Sequence, residues 1–89
     1  MRRSVDLTVT GRVQGVSFRY HAEREAARLG VAGWVRNEPD GSVAAHVEGD
    51  PGPVEAFVRW CHEGPRPAYV ERVDVRPADD QGLRSFGVR

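Results

Sequence analysis

Apolar and polar residues alternate from the start of the chain. Val5, Leu7 and Val9 are separated by Asp6, Thr8 and Thr10, a period of two that predicts a half-buried strand ending near Gly11. From Phe18 the period changes. Ala22, Ala26 and Leu29 recur at four and three residues, and Gly30 stands where a helix of about three turns ends in a left-handed conformation. Val31 to Arg36 is rich in valine and tryptophan, Pro39-Asp40-Gly41 supplies a tight turn, and Val43, Ala45 and Val47 alternate again, which together predict a hairpin. Asp50 is expected to cap a second helix and Pro51 to fit its first turn. Val54, Phe57, Val58 and Cys61 then share one helical face until Gly64-Pro65 ends it. Val70, Val73 and Val75 mark a further strand, Pro77 to Gly82 a polar loop, and Phe86 with Val88 a short terminal strand.

The order β-α-β-β-α-β with a small strand appended predicts an α+β, ferredoxin-like sandwich: an antiparallel sheet with two helices on one face. At 89 residues there is room for one domain, taken as 1–89, and no repeat or linker divides it. Thirteen acidic residues balance thirteen basic ones, all of them arginine. No global positive field therefore draws the chain to nucleic acid or an anionic membrane, and any anion it binds must be held by local geometry. No apolar run approaches the ~20 residues of a bilayer crossing, so neither a span nor a cleavable signal is expected. Cys61, the only cysteine, excludes an intrachain disulfide and multi-thiolate metal sites, and fits a reducing cytoplasm. His46 and His62 have no ligand partners at metal spacing.

The first strand meets the first helix through Gly11-Arg12-Val13-Gln14-Gly15-Val16-Ser17-Phe18-Arg19. Loop N–H groups and those of a first helical turn converge on one concavity and favour a small anion, and Arg19 adds a planar guanidinium that grips two phosphate oxygens. A strand-to-helix turn eased by two glycines, with Arg19 solvated, explains the same spacing. Neither G-x-x-x-x-G-K-[ST] nor G-x-G-x-x-G occurs, so nucleotide binding is not indicated. Val13 occupies the position where a cysteine-dependent phosphatase would carry its thiolate.

The run GRVQGVSFR, with GWVRN from Gly33 and DGSV from Asp40, resembles the acylphosphatase family along nearly the whole chain. The resemblance extends to Trp60, Gly64-Pro65 and the Phe86-Gly87-Val88 ending. It implies a ferredoxin-like fold and metal- and cofactor-free hydrolysis of acyl phosphates, with Arg19 and Asn37 as catalytic residues. The phosphate loop it implies is Gln14, Gly15, Val16, Ser17, Phe18 and Arg19. Inorganic phosphate is then expected as product and inhibitor, and the chain as a monomer. The alternative is a non-catalytic module that binds phosphate or carbamoyl phosphate or docks a phosphorylated partner.

Charge stabilisation by the loop and Arg19, with a water oriented by Asn37, suffices for so activated an anhydride. An asparagine before a turn otherwise bonds its own backbone. Glu38 follows it, either repelling an anionic substrate or facing solvent, and whether Arg36 or Arg12 offsets that charge is open. Ser17 is expected to order the loop or cap the helix rather than act as a nucleophile, for which no base stands at a fixed spacing. His21 is expected to be a solvated helix residue, and Trp34, Phe57 and Trp60 core or core-edge residues.

Overall fold

The computed structural model describes residues 1–89. Along the chain run β1 (Arg3–Arg12), α1 (Phe18–Leu29), β2 (Ala32–Asn37), β3 (Val43–Gly49), α2 (Pro51–Glu63), β4 (Tyr69–Pro77) and β5 (Phe86–Val88). The alternation in β1 becomes burial: Val5, Leu7 and Val9 join Phe18, Ala22 and Ala26 of α1 and Val54, Phe57 and Cys61 of α2 in one buried cluster. α1 lies against β2 and β5, and α2 against β4, β1 and β3, so both helices cover the same face.

The sheet order is β4-β1-β3-β2-β5. β1 pairs antiparallel with β3 and β4, and β2 with β3, the last pair being the expected hairpin. β5 departs from the expected antiparallel sheet, pairing parallel with β2, so that Gly33 stands opposite Phe86 and Val35 opposite Val88. The connection is the cause. Residues 78–85 leave β4 at one edge, cross the end of the sheet, and deliver β5 to the free edge of β2 in the same direction as β2. Ala78 N–H donates to the Ser4 carbonyl at 3.0 Å at one end of this strap, and Gly33 N–H to the Ser85 carbonyl at 3.0 Å at the other.

The strap covers a polar layer on the sheet face away from the helices. Glu48, with no exposed surface, accepts the N–H groups of Gln81 (2.8 Å) and Leu83 (2.7 Å), and Arg2 donates to it at 3.2 Å. His46, equally buried, places Nε2 at 2.6 Å from Glu48 and Nδ1 at 2.7 Å from Asp6, and its ring stacks on Trp34. Trp34 is accordingly a half-buried edge residue, with the guanidinium groups of Arg36 and Arg89 over its ring.

One expected cap is corrected. Asp50 holds the N-cap position of α2, but its side chain makes no capping hydrogen bond. An N-cap oxygen bonds the N–H of the second or third helical residue; the third, Pro53, has none, which leaves Gly52 as the single donor in reach.

Candidate active site

β1 and β2 both end at the side of the sheet opposite the strap. β1 is bulged between Thr10 and Gly11. Gly11 takes φ 130°, and a Cβ there would lie 2.2 Å from the Tyr69 carbonyl oxygen, so only glycine fits against β4. The chain then buries Val13 and turns through Gln14–Ser17 into α1.

Gln14 ties this loop to the β2–β3 turn. Its Nε2 donates to the carbonyls of Glu38 at 2.7 Å and Ser42 at 2.9 Å. The turn is itself braced by Asp40, which accepts both the hydroxyl and the N–H of Ser42 at 2.6 and 2.9 Å. Ser42 thereby holds the Asp40 carboxyl below its ordinary value. Because Glu38 follows Asn37 directly, the two bonds from Gln14 fix the loop against the residue across from it.

Ser17 is the only non-glycine residue with positive φ, at 63°. It stands at the N-cap of α1, yet its hydroxyl makes no capping bond, which corrects that expectation. N-cap side chains bond helical N–H groups from the extended backbone region, and Ser17 is left-handed instead. The consequence is chemical: the N–H groups of Phe18, Arg19 and Tyr20, which have no acceptor inside a helix, stay uncapped. Gly15, Val16 and Ser17 also donate no backbone hydrogen bond. Successive free N–H groups at a helix N-terminus make an anion cradle.

That cradle opens into a concavity of about 290 Å³ whose walls include Gly15, Ser17, Phe18, Arg19 and Asn37. The structure thus brings together two residues eighteen positions apart in the sequence. Arg19 is half-buried in the first turn of α1, and Asn37 ends β2 with its Oδ1 buried and accepting no hydrogen bond. A buried polar atom without a partner is uncommon, and this one belongs to a residue on the wall beside the arginine. Two residues of the expected phosphate loop are not on that wall. Gln14 turns its side chain to the hairpin, and Val16 packs half-buried against the core.

Neighbouring charges are sorted by face. Glu38 receives Arg36 at 3.3 Å and borders a different concavity with Thr8 and Asp40, so its carboxylate lies outside the cradle. Arg12 is exposed at the end of β1. His21 is exposed, with Nδ1 donating to the Ser17 carbonyl at 2.9 Å and its ring edge-on to Tyr20. Sequence reasoning missed Tyr20, Glu23 and Val88, which also wall the concavity. Glu23 follows Arg19 by four residues and was legible as its neighbour on a helix face. Val88 was not, since its place depends on the parallel pairing of β5.

Fold and site together define a small α+β sandwich with an anion cradle at the head of its first helix. The profile of the acylphosphatase family matches residues 5–88. An acylphosphatase of a Nocardioides species is 82% identical over 89 residues, covering the whole chain and 90% of the relative. The solved acylphosphatase of Coxiella burnetii superposes with a TM-score of 0.95 at 32% identity, over 99% of this chain and 93% of that one. That of Bacillus subtilis does so with 0.94 at 33% identity, over 100% and 99%. The chain belongs to the acylphosphatase family and is a hydrolase of that class.

Proposed function

We propose that the chain cleaves the carboxyl–phosphate bond of small acyl phosphates in the concavity between the loop and β2. The phosphoryl oxygens sit on the free N–H groups from Gly15 to Tyr20 and on the Arg19 guanidinium. These donors stabilise the charge that builds on the equatorial oxygens during in-line attack. Asn37 Oδ1 accepts a hydrogen bond from the attacking water and aims its oxygen at phosphorus. An amide is no effective base at neutral pH, so the contribution is positional and the water proton passes to the phosphate. As the new P–O bond forms, the P–O bond to the acyl group breaks, and its electrons leave on a carboxylate that needs no strong general acid.

The observation that carries this reading is the buried, partnerless Asn37 oxygen on the same wall as Arg19. No helix is long and apolar enough to cross a membrane. The lone thiol is buried, and we place the enzyme in the cytoplasm as a monomer that does not act on nucleic acid.

Benzoyl phosphate hydrolysis in the presence of EDTA tests the reading. Asn37→Ala should lower kcat by roughly a hundredfold or more with KM little changed, whereas Arg19→Ala should lose both turnover and competitive inhibition by phosphate. Equal losses in the two variants would overturn the division of roles. Phosphate binding without turnover in the wild-type protein would make the cradle a binding site only.

A further inference from the structure

The concavity has a second end. From Gly15, Ser17 and Arg19 its wall passes to Tyr20, Glu23 and Val88. A larger hollow of about 850 Å³ continues along α1, bordered by Glu23, Ala27 and Phe86 and also by Arg2, Arg24, Arg84 and Glu48, with Arg2 held by Glu48 and Asp80. Glu23 is on the wall of both. It is half-buried and enters no ion pair, in contrast to Glu25 nearby, which Arg28 holds. Tyr20 and Val88 are 53% and 44% exposed, two large apolar side chains left in water at one mouth. Arg24 borders only the outer hollow, where it donates to the Tyr20 hydroxyl at 2.9 Å and lies over that ring.

A substrate whose phosphoryl group occupies the cradle must project its acyl group out of it. Next to the cradle the walls for that group are an aromatic ring with Arg24 over it, an isopropyl group and an unpaired carboxylate, and the arginines of the outer hollow stand beyond them. Resting on the acyl-phosphate reading above, we infer that this mouth selects among acyl groups: it favours apolar and cationic acyl phosphates and disfavours those carrying a second carboxylate, with Glu23 as the specificity-determining residue. The phosphoryl end is read by charge-assisted bonds common to all substrates, so discrimination falls to the groups the acyl part meets. A single carboxylate at a water-filled mouth contributes roughly five- to tenfold between an anionic and a neutral substrate at low salt, and less as salt screens it.

The test compares kcat/KM for benzoyl phosphate, its para-carboxy derivative and its para-aminomethyl derivative, each relative to its uncatalysed hydrolysis. Wild type should rank the cationic substrate first and the anionic one last, with a spread that narrows on adding salt. In Glu23→Gln the ratio of cationic to anionic substrate should collapse to within about twofold, and in Glu23→Arg it should invert. An unchanged ratio in both variants, or wild type using the anionic substrate as well as the neutral one, would overturn the inference while leaving the acyl-phosphate reading intact. Failure of all three substrates with wild type would overturn that reading and the inference with it.

Discussion

Ser17 shows how a single backbone angle prepares chemistry. A left-handed non-glycine residue costs about 1–2 kcal/mol, and strain of this kind persists where the surroundings over-determine it. Here it leaves the hydroxyl without a capping bond and the N–H groups of the first turn of α1 free for an anion. Ser17→Gly relieves the strain but loosens the unfolded chain by a similar amount, so stability should change by less than about 1 kcal/mol. Turnover of benzoyl phosphate should persist in this variant if, as proposed, the loop N–H groups and not the hydroxyl hold the phosphoryl oxygens. An inactive, folded Ser17→Gly would return the hydroxyl to the mechanism. Cys61 makes the opposite case: burial raises its thiol pKa, so it stays protonated and inert inside the apolar face of α2.

At the scale of elements, the strap across residues 78–85 determines where β5 goes. Glu48 pins it through the N–H groups of Gln81 and Leu83, while Arg2 bonds both Glu48 and Asp80. Breaking such a buried arrangement from one side leaves the other partners unmatched. Glu48→Gln should therefore destabilise the fold by about 3 kcal/mol and speed amide exchange at Gln81 and Leu83 before it does so in β1. Exchange rates unchanged at these two amides would show that the strap is held by other contacts. Gly33, where β2 meets both β3 and β5, is constrained in another way: a Cβ there would lie 1.8 Å from the His46 carbonyl oxygen. Close strand approach at this glycine sets the path of β2 toward Asn37. The sequence marked residues 77–82 only as a polar loop, because a pattern of turn-forming residues carries no statement of what lies beneath it.

The whole molecule places its polar strap at one end of the sheet and its cradle at the other, with the helices on one face between them. Its response to acid follows from the carboxylates around the strap. Burial alone would raise the Glu48 pKa, but the N–H groups of Gln81 and Leu83 and the His46 ring outweigh it and hold it below the ordinary value of 4.5. Asp80 is lowered as well, first by Arg2 and then by the Gly82 N–H. Groups lowered in this way bind protons less readily folded than unfolded, so their stabilisation is complete above about pH 4.5 and is lost as pH falls through the lowered folded values. Urea midpoints should be nearly level from about pH 7 to 5 and drop below about pH 4, and Glu48→Gln should flatten that drop. Element order, the helical faces and the glycine-containing loop were legible in the chain, because periods of two and of 3.6 and the backbone needs of glycine and proline are local properties. Arg19 could be singled out there by its place where the glycine-containing loop meets the first helix, and Asn37 through the motif resemblance alone. The parallel β5, the burial of His46 and Glu48, the missing caps at Ser17 and Asp50, and the meeting of Arg19 with Asn37, Glu23 and Val88 were decided only in three dimensions. Each depends on contacts between segments distant in sequence, whose register is set by packing and by which N–H groups remain unpaired once the chain has closed on itself.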